Sequence, residues 1–403
     1  RFRSGTTLST IKDIALRRHD RVEDEIEAVN GLTLIEDEDG LSAETVTSEY
    51  SSLPDVEYAE PVFKVYADHD APGWGEHKHA NDEMFARQWS LKNIGQDGGL
   101  PDADIKAMNA WVKTTGSSKV VVAVLDSGVD YTHPDLINNM WIRPKSMAPY
   151  SDDELGQFND LHGFNATSRW DDPMDDNGHG THCAGIIGAE GDNNLGIAGI
   201  NWNVKIMPLK FLSSNGSGST KDAIEAINYV IDRKKKGVNV RVISASWGST
   251  QNSRALRDVI KKAGDEGIFF VAAAGNNGDN SDVRPHYPAG YYDLKNVIPV
   301  AALDRNDQLA SFSNYGAKSV FIAAPGKEIL STWLNGEFRE ASGTSMATPE
   351  VSGVIALVLS VNPKITVEEM RDKLANSVDK LPSLEGKVVT GGRINAAKAV
   401  GAE

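Results

Sequence analysis

Six short apolar runs dominate the chain beyond residue 105: 120–125, 204–211, 240–245, 268–274, 297–302 and 320–324. They are nearly continuous rather than alternating, which suits strands covered on both faces, as in a parallel sheet. Helical stretches lie between them. In 220–236, Ile224, Ile227, Val230 and Ile231 share one face, and a lysine run ends at Gly237. Strand and helix in alternation predict an α/β sandwich with its ligands at the carboxyl ends of the strands.

The start of the chain has a different texture. Residues 8–19 predict a helix, 31–36 a strand, 42–53 a helix with Ser42 as N-cap and Glu44 in its first turn, and 56–66 a further strand. Together these make a small α+β unit. The stretch DHDAPGWGEHKHANDE at 68–83 mixes Pro, Gly and charge without periodicity, and reads as an exposed linker. The length of 403 residues accommodates two domains. A net charge of 41 − 57 = −16 argues against nucleic acid as a partner and suits solubility or cation binding. No run of about 18 apolar residues occurs, so no segment is expected to span a membrane. The single cysteine excludes an internal disulfide and leaves the compartment open.

The stretch DNGHGTHCAG at 176–185 holds two of the nine histidines and the only cysteine. His179 and His182 are spaced to share a helix face, but structural zinc needs four ligands, and the chain has neither CxxC nor HExxH. Cys183 as a nucleophile competes with its own surroundings, the apolar Ala184-Gly185-Ile186-Ile187, where lone cysteines are usually inert. Three distant stretches bear on the choice. VAVLDSGVD at 122–130 ends a strand with Asp126, and AAAGNNG at 272–278 ends another with Asn276. GTSMATPEVSG at 343–353 opens an apolar helix with Ser345. Each alone reads as a turn former or a cap. Asp, His and Ser in that chain order, each at the end of an element on one sheet edge, is a known arrangement of a hydrolytic triad.

Carrying DSGVDYTHPDL (126–136), NGHGTHCAG (177–185) and GTSMATP (343–349), the sequence resembles the subtilases, the subtilisin-like serine proteases, along nearly its whole length. The resemblance implies a subtilisin-like three-layer α/β sandwich with a mainly parallel sheet, preceded by a small α+β propeptide domain. The implied boundaries are 1–67 for the propeptide, 68–81 for a linker containing the processing region, and 82–403 for the catalytic domain. It implies Asp126, His179 and Ser345 as the triad and Asn276 as an oxyanion donor, with His182 and Cys183 packed behind the site. Substrate would lie extended between Gly216-Ser217-Gly218 and Ser246-Trp247-Gly248. Its main pocket would be walled by the latter and by Ala273-Ala274-Gly275, small walls that imply a broad, mainly apolar preference.

The resemblance also implies structural calcium. AEGDNNLGIAG at 189–199 matches a calcium loop, with ligands from the Asn193 side chain and the carbonyls of Gly191, Leu195 and Ile197. Asp135 and Asp82 are the matching carboxylates. The insertion at 137–177, with SDDELGQFND and RWDDPMDD, sits where some members carry a second calcium loop, with Leu155 eroding the pattern. LPDVEYAEPVFKVYA at 53–67 resembles the last strand of a subtilase propeptide. The implied protein is a secreted, monomeric zymogen that is inhibited by its own propeptide, cuts itself between about 67 and 82, and acts on protein and peptide substrates. A catalytically silent binding protein on the same scaffold is the alternative. Glu350 departs from the motif, where histidine usually follows Thr-Pro. Asn165 and Asn215 open glycosylation sequons.

Overall fold

The apolar runs form one sheet, and its two faces explain why they do not alternate. The computed structural model describes residues 1–25, 31–60, 80–152, 156–167 and 172–402. The chain divides into two units, 1–73 and 74–403. In the second unit the sheet strands are β3 (Gly116–Asp126), β4 (Phe164–Asn165), β5 (Asn203–Lys210), β6 (Val240–Ala245), β7 (Phe269–Ala273), β8 (Val297–Leu303), β9 (Ile322–Pro325), β12 (Asp379–Lys380) and β13 (Gly392–Arg393). Among the described residues they lie in the order β12-β13-β9-β8-β7-β6-β3-β5-β4, parallel throughout except for the edge pair β12-β13. A hairpin of β10 (Ile329–Thr332) and β11 (Phe338–Ala341) stands apart from the sheet.

Successive residues of β3 point to opposite layers. Val122 and Val124 join a core with Ile298, Val300, Cys183 and the helices α3 (Ala107–Lys113), α4 (His179–Gly188) and α7 (Thr344–Val361). Val121, Ala123 and Leu125 join a second core with α5 (Thr220–Lys235) and α6 (Arg254–Asp265). Helix, sheet and helix are the three layers expected. Helix α7 is long and apolar enough to cross a bilayer although the sequence holds no unbroken apolar run of that length; it is buried within the unit. An all-round apolar helix is the core helix of such a fold.

The first unit holds α1 (Leu8–Leu16), β1 (Asp20–Glu25), β2 (Thr33–Asp37) and α2 (Ala43–Ser51). The Ser42 hydroxyl accepts from Thr45 N at 3.2 Å, the expected cap. Strand β1, paired antiparallel with β2, was not expected, because DRVEDE offers no apolar alternation. Phe2, Ile11, Tyr50 and Val56 form the core of this unit. Of the strand expected at 56–66, the described part shows one bridge, Phe2 to Val56. Residues 61–66 and nearly all of the 68–81 linker lie outside the described residues.

Candidate active site

The active edge begins where β3 ends. The Asp126 carbonyl accepts from Phe211 N and Leu212 N at 2.9 and 3.2 Å, tying the strand end to the segment after β5. The Asp126 side chain has no solvent exposure. Opposite it α4 starts at His179, and Asp175 builds that start. Its carboxylate accepts from Asn177 N (2.9 Å), Gly178 N (3.0 Å), Thr181 N (3.0 Å) and Thr181 Oγ1 (2.6 Å), satisfying N–H groups that a helix start leaves open. Ser127 Oγ donates to Asp175 at 2.8 Å and accepts from Gly180 N at 3.0 Å, linking the two loops. Position 180 must be glycine, since a Cβ there would stand 2.0 Å from the Gly128 carbonyl oxygen.

This frame sets His179 Nδ1 at 2.8 Å from Asp126 Oδ1, which also accepts from Ser127 N at 2.7 Å. Nδ1 therefore carries the proton and Nε2 is left as the basic atom. Burial opposes the charged imidazolium of His179, but the Asp126 charge and hydrogen bond, with Asp175 behind, outweigh it and raise the pKa.

Ser345 stands in the first turn of α7, and a proline four residues on shapes its surroundings. Pro349 has no N–H to give the Ser345 carbonyl, the bond an uninterrupted helix would make. Ser246 Oγ takes that place at 2.8 Å, with the Cys183 thiol at 3.5 Å. In return Ser345 Oγ donates to the Ser246 carbonyl at 3.0 Å, so the hydroxyl rests on the residue just past β6 rather than on His179. The Asn276 amide oxygen accepts from Thr344 N (2.8 Å) and Thr344 Oγ1 (2.9 Å), which turns its NH₂ outward. Among the described residues the Ser345 N–H has no acceptor. A Cβ placed on Gly343 would lie 3.4 Å from Asn276 Nδ2 and 3.5 Å from Ser345 N, so both donors border one point.

A model of the Subtilase family matches residues 117–393. The chain belongs to the subtilase family. It is 36% identical over 360 residues to a thermophilic serine proteinase of Bacillus sp. strain AK1, covering 89% of this chain and 76% of that one. It is 36% identical to the cell wall-associated protease of Bacillus subtilis strain 168 over 82% of this chain and 33% of the relative. It is 32% identical to subtilisin-like protease 1 of Plasmodium falciparum isolate 3D7 over 80% of this chain and 48% of the relative. Among solved structures, a protease from Pseudoalteromonas arctica superposes with a TM-score of 0.66 at 28% identity, covering 80% of this chain and 99% of the other. A cold-adapted subtilisin-like serine proteinase gives 0.58 at 27% identity, over 76% of this chain and 97% of the other. The fold is subtilisin-like, and the protein is a subtilisin-like serine endopeptidase.

The other residues expected of a subtilase fall as follows. His182 donates Nε2–H to the Arg339 carbonyl at 3.0 Å. Burial pulls its pKa down to about 4, and it stays neutral. Cys183 has no exposure, and burial pushes its thiol well above the ordinary range, against a nucleophilic role. Gly216, Ser217 and Gly218 lie on an exposed turn closed by a Leu212–Gly218 bridge and by Ser217 O accepting from Ser213 N at 2.9 Å. Asn177 Nδ2 holds that turn through Ser214 O at 2.8 Å, so the Ser/Gly tract is a built edge rather than a loose linker. Ala245 pairs with Ala272, and so Ser246-Trp247-Gly248 and Ala273-Ala274-Gly275 leave the sheet side by side.

Asp82 and Asp135 are both buried beside the 189–199 loop. Asp135 accepts from Ile197 N (3.0 Å) and Asn193 Nδ2 (2.9 Å), and Asp82 from Asp192 N (3.0 Å). Asp82 Oδ1 is buried without a partner. Burial, with each other's charge added for Asp135, raises both pKa values, that of Asp135 to about 7. Among the described residues no donor reaches the carbonyl oxygens of Gly191, Leu195 or Ile197. Two facing acids, an orphaned carboxylate oxygen and three open carbonyls fit a hard, oxygen-seeking cation.

The insertion at 137–177 is different. Asp160 there is held by Arg143 (2.9 Å), Arg233 (3.2 Å), Tyr229 OH (2.9 Å) and Tyr150 N (3.0 Å), a buried network already complete in protein donors. Residues 153–155 and 168–171, which include Leu155, lie outside the described residues. Asn165 of the first sequon is buried, its amide donating to Asp172 O at 2.9 Å, while Asn215 sits on the exposed turn. Two residues that matter here had no sequence signal of their own. Asp175 is one acid among four in RWDDPMDD, and His286 is distant from the segments it touches.

Proposed function

We propose that this subtilase is made as a secreted, self-inhibited precursor and cleaves peptide bonds through Asp126, His179 and Ser345. The observation that carries the proposal is the 2.8 Å pair of His179 Nδ1 with the buried Asp126, on a helix packed against the one that presents Ser345. In the reactive arrangement Ser345 Oγ leaves the Ser246 carbonyl and donates to His179 Nε2. The base removes its proton as Oγ adds to the substrate carbonyl. His179 then returns the proton to the leaving amine, and Asp126 stabilises the imidazolium without taking the proton. Asn276 Nδ2 and Ser345 N stabilise the oxyanion of the tetrahedral intermediate. Water activated by the same base releases the acyl group.

Substrate lies extended between the 216–218 and 246–248 segments, paired through its main chain. The first unit acts as propeptide and inhibitor until it is cut off within about 67–82, and a single mature chain suffices for activity. Asp82, Asp135, Asn193 and the carbonyls of Gly191, Leu195 and Ile197 hold a structural calcium. When bound, the ion supplies the positive charge that the two acids lack and cross-links residue 82 to the loop.

Expression of wild type beside Ser345→Ala tests the proposal. Wild type should appear as a shortened chain with a new N-terminus within 67–82, digest casein and react with a serine-directed inhibitor. Ser345→Ala should remain full length and inert. Digestion by Ser345→Ala, or processing that is equal in both, would overturn it.

A further inference from the structure

Small pocket walls suggest a slot open to large apolar side chains, but one imidazole stands between them. An antiparallel bridge, Ser249 N to Tyr287 O at 2.8 Å and Tyr287 N to Ser249 O at 2.7 Å, brings the 286–287 segment against the 246–249 segment. A Cβ placed on Gly248 would lie 2.3 Å from His286 Nε2, and one placed on Gly275 would lie 3.0 Å from His286 Cδ2 and Cγ. The ring thus rests on both walls at once, at the two glycines whose missing side chains would otherwise leave space. His286 is half-buried, and among the described residues neither ring nitrogen has a hydrogen-bond partner. A polar group set in a pocket and left unpaired by the protein is what a ligand's polar group pairs with.

We propose that His286 determines specificity, shortening the pocket for the side chain on the acyl side of the scissile bond and selecting glutamine and glutamate over large aromatic residues. The proposal rests on the peptidase function above and replaces the apolar preference that the walls alone imply. Burial lowers the pKa of His286, so the ring is neutral at pH 7 and above, able both to donate and to accept. As the pH falls it becomes cationic and favours carboxylate over carboxamide. Few other charges bear on it. Segments 246–249 and 273–275 and Asn314, all packed nearby, carry no titratable side chain. On its own loop Arg284 and Asp279 pair with each other at 3.0 Å, and Tyr287 is its neighbour.

The test uses the processed enzyme and a matched fluorogenic peptide series that differs only in the acyl-side residue: Gln, Glu, Leu or Phe. Active sites are counted with a serine-directed reagent. Wild type should show kcat/KM at least about tenfold higher for Gln than for Phe at pH 8, the scale of one buried polar group paired or left unpaired. The Glu/Gln ratio should rise from pH 8 to pH 5.5, a window in which the substrate carboxylate stays ionised. Because both substrates depend equally on His179, the ratio cancels its titration. His286→Ala should gain at least about tenfold on Phe relative to Gln and lose the pH dependence of the ratio. His286→Gln, which keeps the bulk without the titration, should still exclude Phe but give a flat ratio. A wild type that favours Phe, or variants with the wild-type profile, overturns the assignment of His286. A protein that does not react with the serine reagent at all fails the peptidase proposal instead.

Discussion

Asp126 and Glu350 are equally buried and oppositely served. Asp126, at the active edge of the sheet, accepts from the His179 ring and from Ser127 N. Glu350, five residues past Ser345 inside α7, has no exposure and no hydrogen-bond partner at either carboxyl oxygen, with the Ser90 side chain as the polar group beside it. Burial pushes its pKa up to about 8, and it is a neutral acid at pH 7. Depth alone does not decide whether an acid is ionised; the donors and charges around it do. In the proposed mechanism one acid faces the base, whereas the other is tolerated because it keeps its proton.

The largest effect comes from breaking the first arrangement. Asp126→Asn keeps the shape but presents an amide to His179 and favours the wrong tautomer, so kcat should fall by about 10⁴. Steady-state hydrolysis corrected by active-site titration measures this. A loss below tenfold would remove Asp126 from the proposed triad. In the intact enzyme the acid limb of kcat/KM should lie above the ordinary imidazole value of 6.5, since the His179 pKa is raised and catalysis needs the neutral ring.

Next in size is the contrast at Glu350. Its pKa is raised from 4.5 to about 8, so the folded state holds the proton more tightly than the unfolded one. Stability is then lost as the pH climbs from about 4.5 to about 8 and levels off above. At about 1.4 kcal/mol per pKa unit, the loss attributable to this group is on the order of 5 kcal/mol. Glu350→Gln should flatten that slope, with the two stability curves meeting near pH 4.5 and separating towards pH 9. Parallel urea-unfolding curves across that range would show that folding does not raise the Glu350 pKa. Activity per titrated site should change little, because Glu350 touches none of the reacting groups.

Asp82 and Asp135 form an intermediate case, two acids that the protein serves only in part. A calcium ion at about a thousand times its dissociation constant stabilises by roughly 4 kcal/mol. Chelation should accordingly lower the melting temperature by roughly 5–10 °C. Asp135→Asn should remove most of that calcium response. A melting temperature indifferent to chelator would dissociate the pair from any cation.

How far these differences were legible in the sequence follows from how local their causes are. Burial on both faces writes itself into the runs of β3 and β5 to β9, and the proposed triad is announced by Asp126 at the end of one run and by His179 and Ser345 at helix starts. DRVEDE of β1 carries no apolar alternation, and two-residue strands such as β4 and β12 are too short to carry any. Asp175 hides among neighbouring acids, since only its five donors distinguish it from Asp172 or Asp176. His286 is invisible for another reason. Gly248, Gly275 and the imidazole meet only through the bridge between Ser249 and Tyr287, a tertiary pairing with no local pattern. Glu350 was visible as a departure from the motif, but its lack of partners was not.

Cys183 gives the smallest effect and the sharpest test of how tightly the active edge is packed. Its thiol is unexposed, weakly bonded to the Ser345 carbonyl at 3.5 Å, and within 4.8 Å of ligand atoms of Asp126 and His179. Replacing it with alanine removes one sulfur and leaves the Ser246 hydroxyl on the same carbonyl, so the cost should be about 1–2 kcal/mol of stability. Activity should stay within a few-fold. A mercurial bound to the wild-type sulfur adds a large atom to a fully buried site, between the helix of Ser345 and the His179 ring. Inactivation should be complete but slow, because the buried thiol is protonated and reacts only when the edge opens. Cys183→Ala should be indifferent to the reagent. Full activity of the wild type after saturating exposure would mean that Cys183 is not held against the triad, and the same time course in Cys183→Ala would place the reagent elsewhere.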